Sequence, residues 1–273
     1  MKIIFCGDVV GRAGRSAIIK HVPELREKLE LDCVVVCGEN AASGFGITRK
    51  ICDSFLEAGV DVITTGDHAF DQKETVYFIK DYKQLLRPAN LPARLPGTGA
   101  RVFNIKGGKK VLVIQLLAQL FMKFTADCPF ECVDKILKDY KLGKDVDAII
   151  VDFHGEATSE RMAMGHHLDG RVSLVTGSHT HVPTADMQIL PKGTAYHTDA
   201  GMCGDYDSVI GFDKNISIPG FLTKVRFERN ATANGEGTLC ATFVEINEKT
   251  GLAISVDALR VGGRLKENLP EIA

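Results

Sequence analysis

Five short apolar runs rich in valine and isoleucine constrain the fold of this 273-residue chain more than any other feature. Each run is followed by glycine and by residues that can bind a metal ion or transfer a proton. The runs span residues 2–6, 32–37, 61–65, 146–152 and 171–176. Such runs, separated by helix-like stretches, predict a largely parallel sheet that is buried on both faces. Because parallel strands point their carboxyl ends the same way, we expect the polar residues after all five runs to converge on one crevice.

The residues after these runs form a set of candidate metal ligands. The most informative is the pair His179 and His181, since two imidazoles two residues apart can both reach one metal centre. The pair alone is a weak signal, but the other four runs supply matching donors. Together the candidate ligands are Asp8, Glu39, Asn40, Asp67, His154, His179 and His181. This set is larger than one catalytic zinc ion uses, so the pattern indicates two metal ions.

The mixture of donors narrows the choice of metal. Carboxylates together with imidazoles suit iron, manganese or zinc better than magnesium, which prefers oxygen ligands. Two such ions about 3.5–4 Å apart can share a hydroxide and hold a phosphoryl group between them. Glu39 is the candidate for the bridging ligand, because it has two carboxylate oxygens and follows a central strand. We therefore expect two divalent or mixed-valence transition-metal ions, with iron or manganese favoured over zinc.

The composition is that of a soluble enzyme. Hydrophobic residues make up 45% and charged residues 25%, which are ordinary values for a globular protein. A formal net charge of −2 gives no basic surface for a nucleic-acid polymer. The chain lacks a run of about eighteen apolar residues and a signal-peptide pattern, so neither a membrane span nor secretion is expected. Its eight cysteines, several of them in predicted core strands, favour reduced thiols in a cytoplasmic protein.

The rest of the chain is divided between helices and further strands. Helices are expected at 15–29, 48–58, 72–83 and 131–140, and three prolines make 87–97 an extended connector. Strands are expected at 100–105 and 110–116. In the C-terminal third, residues 187–190, 194–197, 221–227 and 238–246 have the pattern of antiparallel strands. The chain has no internal repeat or clear linker, which favours a single α/β domain over residues 1–273. The sequence leaves open whether the protein forms a homo-oligomer.

The motifs, in their order along the chain, resemble those of the calcineurin-like metallophosphoesterases. The blocks are Gly7-Asp8, Gly38-Glu39-Asn40, Gly66-Asp67-His68-Ala-Phe-Asp71, Asp152-Phe-His154-Gly-Glu156 and Gly177-Ser-His179-Thr-His181. The likeness is greater to the YmdB-like branch, bacterial phosphodiesterases similar to 2′,3′-cyclic nucleotide phosphodiesterases. It extends from Met1 to about Arg260 and includes the segments 40–46 and 206–211. The resemblance implies an α/β fold of the four-layer αββα sandwich type, built from mixed sheets.

The resemblance also implies how the ligands divide between two metal ions. It places Asp8, Glu39, Asn40 and His181 around the first ion, and Glu39, Asp67, His154 and His179 around the second. The wider superfamily has a histidine two residues after the first aspartate, where this chain has Val10. Asn40 is expected to take the place of that histidine, as in the YmdB-like branch.

His68 is the proton donor that the resemblance implies, since the corresponding histidine of the family is the general acid. A departing ribose alkoxide is a poor leaving group, and a positioned imidazolium contributes about 10²–10⁴-fold to the rate. The implied reaction is in-line attack of a metal-bound hydroxide on a small cyclic or diester phosphate. The implied substrate is a 2′,3′-cyclic nucleotide and the product a nucleoside monophosphate. Residues 43–46 and 201–213 are expected to form the mouth of the site.

One ligand position departs from the family pattern. The family usually has asparagine in the position of Asp67. Two divalent ions bring +4, and the carboxylates of Asp8, Glu39 and Asp67 with a hydroxide bring −4, so the formal charge is zero. Asparagine would make the charge +1, which attracts an anionic phosphate better. We therefore expect Asp67 to strengthen metal binding and to lower turnover.

Two other functions fit the same residues. A phosphomonoesterase or a nuclease could use the same metal centre, and a regulatory protein could keep the metals with little catalysis. The remaining histidines follow no ligand block and are expected to have surface or structural roles; they are His21, His166, His167 and His197.

Overall fold

The computed structural model describes residues 1–225 and 228–270 of the chain. Within these residues, two six-stranded mixed sheets pack face to face, and helices cover their outer faces. The strands are β1 (Lys2–Cys6), β2 (Asp8–Val9), β3 (Cys33–Cys37), β4 (Val62–Thr64), β5 (Leu85–Leu86), β6 (Ala100–Asn104), β7 (Lys110–Leu117), β8 (Ala148–His154), β9 (Leu174–Ser178), β10 (Gln188–Ile189), β11 (Ala195–His197), β12 (Met202–Cys203), β13 (Leu239–Ile246) and β14 (Ala253–Val261). The helices are α1 (Gly11–Lys28), α2 (Arg49–Glu57), α3 (Thr75–Phe78), α4 (Pro129–Ile136), α5 (Thr158–Leu168) and α6 (Lys214–Thr223).

The first sheet has the strand order β14-β13-β1-β3-β4-β5. Strands β1, β3, β4 and β5 are parallel, whereas β13 lies antiparallel to both β1 and β14. The inner strand β3 has the sequence Cys-Val-Val-Val-Cys and is buried along its whole length. A continuous apolar run of this kind is what a parallel strand covered on both faces requires.

The second sheet has the strand order β10-β11-β9-β8-β7-β6. Strands β7, β8, β9 and β11 are parallel, and the two edge strands β6 and β10 are antiparallel to their neighbours. A separate short pair joins β2 to β12 in parallel. Because β8 and β9 are direct neighbours, the residues that follow them lie side by side.

Three apolar clusters separate the layers of the fold. Phe5 from the first sheet and Ile150 from the second belong to the cluster between the sheets. Phe55 of α2 packs on the outer face of the first sheet, together with residues of α1. Met164 of α5 packs on the outer face of the second sheet, together with residues of α4. The predicted four-layer αββα sandwich of mixed sheets is therefore confirmed.

Most of the predicted elements are present, with shifts at their ends. The five apolar runs form β1, β3, β4, β8 and β9, and the first two predicted helices form α1 and α2. The helix predicted over 72–83 is reduced to the single turn of α3, and the one predicted over 131–140 ends at Ile136. The strand predicted over 194–197 is β11 (Ala195–His197), which is antiparallel to β10 but parallel to β9.

The strand predicted over residues 221–227 is wrong for the part that the structure describes. Residues 221–223 are the end of α6, while residues 226 and 227 lie outside the described residues. The apolar sequence of this segment favoured a strand. However, the Asp213 side chain accepts a hydrogen bond from the Asn215 N–H (2.8 Å), which caps and begins a helix.

Four elements of the second half were not predicted: the helices α5 and α6, the short strand β12 and the edge strand β14. Among residues 1–225 and 228–270, no helix combines the length and the hydropathy that crossing a membrane requires. All eight cysteines are free thiols.

Candidate metal centre

The carboxyl ends of strands from both sheets meet at one edge of the sandwich, and the predicted ligands lie there. Around the first sheet, one candidate ligand lies on β2, two follow β3, and one lies in the 3-10 turn after β4; they are Asp8, Glu39, Asn40 and Asp67. From the second sheet, one candidate ends β8 and two follow β9; they are His154, His179 and His181. Several of them line a cavity of about 460 Å³.

Two of the groups of donor atoms share the residue Glu39. Donor atoms of Glu39, Asp67, His154 and His179 all lie within 4.8 Å of one another, and so do those of Asp8, Glu39 and His181. Glu39 is 1% exposed and belongs to both groups. The two histidines of the His-x-His pair therefore lie in different groups, next to a common carboxylate.

A chain of buried hydrogen bonds fixes the tautomer of His154. The Ser178 hydroxyl donates to Asp152 Oδ1 (2.7 Å), so the Ser178 oxygen is left to accept from His154 Nδ1–H (2.8 Å). Gln115 donates to the other oxygen of Asp152 (3.0 Å). With its proton on Nδ1, a neutral His154 presents the lone pair of Nε2 to the other donor atoms, as a metal ligand requires.

Several acceptors converge on this Nε2 atom. It lies 3.2 Å from Glu39 Oε2, 3.1 Å from Asp67 Oδ1 and 3.1 Å from His179 Nδ1. Carboxylate oxygens only accept hydrogen bonds, and a neutral His154 has no proton left to offer them. A cation among these atoms, or a second proton on His154, would balance the group. The donor set of this group thus fits a metal ion.

The pKa values of this group reflect the same excess of negative charge. Burial opposes a charge on His154, but the carboxylates of Glu39 and Asp67 raise its pKa to about 10. Burial favours a protonated Asp67, yet the hydrogen bond and the charge of His154 hold the pKa of Asp67 well below its usual range. Burial raises the pKa of Glu39 well above its ordinary value. The buried carboxylates thus retain a positive charge beside them, and a divalent cation can fill that role.

The second group contains a similar pair of facing acceptors. His181 Nδ1–H donates to the carbonyl oxygen of Ile210 (2.7 Å), so its Nε2 carries a lone pair. That Nε2 lies 3.2 Å from Asn40 Oδ1. The amide nitrogen of Asn40 donates to Gly44 O (3.0 Å), which turns the amide oxygen towards the histidine. Two acceptors that face each other are unfavourable unless a cation lies near both, so Asn40 and His181 also fit a metal ion.

The His-x-His turn has a strained backbone that separates the two imidazoles. The φ angles of His179 and His181 are 111° and 64°, in a region that residues other than glycine rarely adopt. The backbone N–H of His179 donates to Asp8 Oδ2 (2.9 Å), which ties the turn to the first sheet. Burial and the charge of His154 lower the pKa of His179 to about 3, so its imidazole is neutral and able to bind a metal.

Gly66 allows the backbone to approach the ligands closely. Its φ is +51°, and a Cβ at this position would lie 2.6 Å from His154 Cε1 and still closer to the Glu39 carboxylate. Any side chain here would displace two ligands. The glycine that precedes Asp67 is therefore required by the geometry of the site and by its backbone conformation.

Sequence reasoning missed a buried arginine that joins the two loops carrying the histidines. Arg161 of α5 is 1% exposed and donates to Thr198 O, Asp199 Oδ2 and Ser178 O, each at 2.6 Å, and also to Gly155 O. Asp199 in turn accepts from the N–H and the hydroxyl of Thr180. An arginine on a helix is usually exposed, so the sequence contains no signal for this role.

Cys37 is a second neighbour of the site that was not predicted as one. Its thiol donates a weak hydrogen bond to Asp8 Oδ1 (3.5 Å), and with Asp8 and His154 it forms a third group of donor atoms. Burial raises the pKa of Cys37 well above its ordinary value. The residue therefore remains a thiol beside the ligands, since only a thiolate binds metals well.

His68 lies at the edge of the donor groups and lines the cavity. Its backbone N–H donates to Glu39 Oε2 (3.3 Å), and its Nδ1–H donates to Asp71 Oδ2 (2.7 Å). Its Nε2 lies 3.9 Å from Asp67 Oδ1. Asp71 belongs to the motif block 66–71 but was given no role from the sequence, although its position three residues after His68 could have indicated this contact.

The other histidines are placed apart from the donor groups of the described residues. His166 is exposed, His167 contacts Asp134 (3.0 Å), and His21 is buried. His197 is buried, accepts from the hydroxyl of Thr242 (2.7 Å) and donates to the carbonyl oxygen of Thr184 (3.0 Å).

Comparisons with known proteins give matches along nearly the whole chain. The family model of YmdB-like proteins matches residues 4–259. A Bacillus subtilis (strain 168) protein named 2′,3′-cyclic-nucleotide 2′-phosphodiesterase is 42% identical over 263 residues, covering 96% of this chain and 97% of that protein. A hypothetical protein from Thermus thermophilus has a similar structure, with a TM-score of 0.89 at 38% identity, covering 97% of this chain and 100% of that one.

A second solved structure, called a novel phosphatase and taken from Mycoplasma pneumoniae, has a TM-score of 0.88 at 36% identity. It covers 96% of this chain and 93% of that one. With a family model and relatives that match it nearly from end to end, this chain belongs to the family of YmdB-like proteins.

Proposed function

We propose that this protein is a metal-dependent phosphodiesterase that hydrolyses small phosphodiesters, 2′,3′-cyclic nucleotides in particular, at a dinuclear centre. The observation that carries the proposal is the pair of donor groups sharing the buried carboxylate of Glu39. Two metal ions held in this way suit phosphoryl transfer, in which an attacking and a leaving oxygen must be stabilised together. The choice of substrate is supported by the name of the Bacillus subtilis relative, which is 42% identical to this chain.

We assign four ligands to each ion, with Glu39 common to both. One ion would be held by Asp8, Glu39, Asn40 and His181, and the other by Glu39, Asp67, His154 and His179. The facing acceptors in both groups support this assignment. When bound, such ions polarise the phosphoryl oxygens and lower the pKa of water, so that a nucleophile is available at neutral pH. The mixed donors favour iron or manganese, with zinc as the alternative.

His68 is the general acid of the proposed reaction. Its Nδ1–H donates to the Asp71 carboxylate (2.7 Å), which fixes the ring and leaves Nε2 to carry the transferable proton. That Nε2 borders the cavity next to Asp67, so it can reach an oxygen that leaves the phosphorus on this side. Protonation of the departing ribose oxygen contributes about 10²–10⁴-fold to the rate.

Two further properties belong to the same proposal. One apolar cluster contains residues of both sheets, which supports a single domain over residues 1–273. The eight free thiols suit the reducing conditions of the cytoplasm, where we place the protein.

The metal content of the purified protein and a substrate panel together test the proposal. We expect two transition-metal ions per chain and a higher kcat/KM for 2′,3′-cyclic nucleotides than for nucleoside monophosphates or RNA ends. A preference for monoesters would indicate a phosphomonoesterase, and a preference for RNA would indicate a nuclease. Two bound metals without hydrolysis of any phosphodiester would favour the regulatory alternative.

The role of His68 is tested by the His68→Asn variant with two kinds of leaving group. We expect kcat for a cyclic nucleotide to fall by about 10²–10⁴-fold while the metal content stays unchanged. Hydrolysis of bis(p-nitrophenyl) phosphate should fall much less, because nitrophenolate leaves without being protonated. Equal losses for the two substrates would contradict the assignment of His68 as the proton donor.

A further inference from the structure

We propose that the ring of Phe45 is the platform on which the base of the nucleotide substrate stacks, with Phe212 packed beside it. This inference rests on the proposed function. It assigns a recognition role to a side chain that contacts the catalytic histidine but does not belong to the donor groups.

Phe45 lies where the base of a bound nucleotide would be. Its ring is 38% exposed and lines the same cavity as His68. The ring centroids of Phe45 and His68 are 5.3 Å apart, and the two planes meet edge to face at 81°. In a cyclic nucleotide, the ribose separates the leaving oxygen from the base. With that oxygen at His68, the base comes to lie over the neighbouring aromatic ring.

The loop that carries Phe45 is held in one conformation by its own hydrogen bonds. Ala42 N–H donates to Gly46 O (2.9 Å), and Gly44 N–H donates to Asn40 O (3.0 Å). The Gln72 side chain donates to the carbonyl oxygen of Phe45 (2.6 Å). The loop begins directly after the ligands of β3. An aromatic ring on such a rigid loop gives contact area without a large entropic cost on binding.

The ring of Phe212 packs against the ring of Phe45 and against the loop that carries it. The centroids of Phe45 and Phe212 are 5.7 Å apart, with an angle of 36° between the planes. A Cβ on Gly44, whose φ is +93°, would lie only 2.7 Å from Phe212 Cε1. The loop therefore packs directly on the Phe212 ring, and Phe45 presents its exposed area to the cavity.

The size and chemistry of the cavity agree with a nucleotide. Its volume of about 460 Å³ is within the usual range for small-molecule sites. Ile210 and Asn230 complete the wall beside the two phenylalanines. Every base has a π-face, so stacking on aromatic rings tolerates different bases. We therefore expect purine and pyrimidine cyclic nucleotides to be accepted alike.

A second apolar cavity near the site provides a rival position for the base and a matched control. Its volume is about 350 Å³, and it is lined by Phe70, Leu91, Leu95 and Phe124 next to Asp71. Phe124 is 40% exposed, which is close to the exposure of Phe45. Unlike Phe45, it does not share a cavity with His68.

The kinetic test compares Phe45→Leu with Phe124→Leu on two substrates, adenosine 2′,3′-cyclic phosphate and glycerol 1,2-cyclic phosphate, which has no base. We expect Phe45→Leu to raise KM for the nucleotide by about 5- to 100-fold, which corresponds to the energy of stacking a base on an aromatic ring. The KM for the glycerol substrate should change by less than about twofold. Phe45→Tyr should restore the KM. Phe124→Leu should leave the KM for both substrates unchanged.

The outcomes separate the two proposals. If the wild-type enzyme hydrolyses neither substrate, the proposed function fails, and this inference fails with it. If the wild type is active but Phe45→Leu loses activity on both substrates equally, the ring positions His68 and does not bind the base. A raised KM in Phe124→Leu alone would place the base in the rival cavity.

A binding test uses the absence of tryptophan from the sequence. In metal-loaded Phe45→Trp, the new indole is the single tryptophan, and stacking of a base should quench its fluorescence. We expect adenosine 3′-monophosphate to quench it and glycerol 1-phosphate to leave it unchanged. Metal-loaded Phe124→Trp should respond to neither. Equal quenching by both compounds at position 45, or base-specific quenching at position 124 alone, would overturn the inference.

Discussion

The two sheets of the sandwich contribute different chemistry to one site. The first sheet and its adjoining turns supply the carboxylates, which are Asp8, Glu39 and Asp67, and the second sheet supplies the imidazoles, which are His154, His179 and His181. The carboxylates are held on tight turns, in which glycine lets the backbone come close to the ligands. The imidazoles are held by buried side chains, with Ser178 and Arg161 at the centre of the network.

This difference between the two sheets explains why a cation suits the site. Carboxylates gathered on one side repel each other, and the imidazoles opposite them present lone pairs. Without a second proton on His154, neither half satisfies the other by hydrogen bonding. The carboxylates of Glu39 and Asp67 outweigh burial and raise the pKa of His154 to about 10, so they favour a positive charge between the halves, carried by a proton or by a metal ion. A metal ion bound between the halves would therefore join the two sheets as well as provide the chemistry.

The largest effect is expected from removing the carboxylate that both donor groups share. In Glu39→Gln both groups lose a charged donor, so we expect less than one metal ion per chain and a loss of kcat/KM greater than about 100-fold. His154→Asn removes one donor of one group. We expect that variant to keep the other ion. Metal content and kcat/KM for a cyclic nucleotide measure both effects.

Glu156→Gln is the matched control, because its carboxylate lies 3.4 Å from His179 Nε2 but outside both donor groups. It should keep both ions. If Glu39→Gln and His154→Asn lost the same amount of metal, Glu39 would not be a shared ligand, and the comparison between the sheets would lose its central residue.

A smaller effect is expected from weakening the support of the imidazole side. Ser178→Ala removes the acceptor of His154 Nδ1–H, so the ring is no longer held in the tautomer that binds metal. We expect metal affinity to fall by about 10- to 100-fold, measured by competition with a chelator. Ser173→Ala is the control, because Ser173 is also buried and accepts from Ile149 N–H in the same sheet, away from the ligands. Equal losses in both variants would indicate a general loss of stability.

A still smaller effect is expected on the carboxylate side at Asp67. Asp67→Asn removes one negative charge that faces His154 Nε2 at 3.1 Å. We expect metal affinity to fall by about tenfold and kcat to rise, because a more positive centre binds an anionic phosphate better. Chelator competition and steady-state kinetics measure the two changes. If neither metal affinity nor kcat changed, the charge at this position would have no role in the function.

That the candidate ligands lie together could be predicted from the sequence, because each follows a short apolar run. The turn after a parallel strand has a known place in the sheet, so Asp8, Glu39 and His154 could be brought together without coordinates. The connection between position and chemistry is local, and local patterns are what a single sequence contains.

Residues that act through long-range contacts could not be predicted. Arg161 donates to carbonyl groups on loops that lie 6, 17 and 37 residues away, and none of these partners is indicated by the sequence around it. Phe45 and Phe212 lie in the two segments expected at the mouth of the site, but the contact between their rings is not indicated by the sequence. The failure at α6 has the opposite cause, because there the apolar pattern favoured a strand and the cap at Asp213 favoured a helix.

The smallest effect concerns His197, an imidazole of the second sheet that supports the fold. Burial lowers its pKa, outweighing the nearby carboxylates of Asp186 and Asp199. In the unfolded chain, the imidazole of His197 takes up a proton near its ordinary pKa of about 6.5. In the folded protein it does so only at lower pH. Stability contributed by the neutral ring is therefore lost as the pH falls below about 6.5.

We expect urea denaturation to show a smaller loss of stability between pH 7.5 and pH 5.5 in His197→Asn than in the wild type. At pH 7.5 the variant itself should be less stable by about 1–3 kcal/mol, because Thr242 or the carbonyl of Thr184 loses its partner. His166→Asn, a change of an exposed imidazole, should leave the pH dependence unaltered. Metal content should stay the same in both variants. If His197→Asn lost metal, this histidine would belong with the ligands, and the division of the second sheet into binding and supporting imidazoles would be wrong.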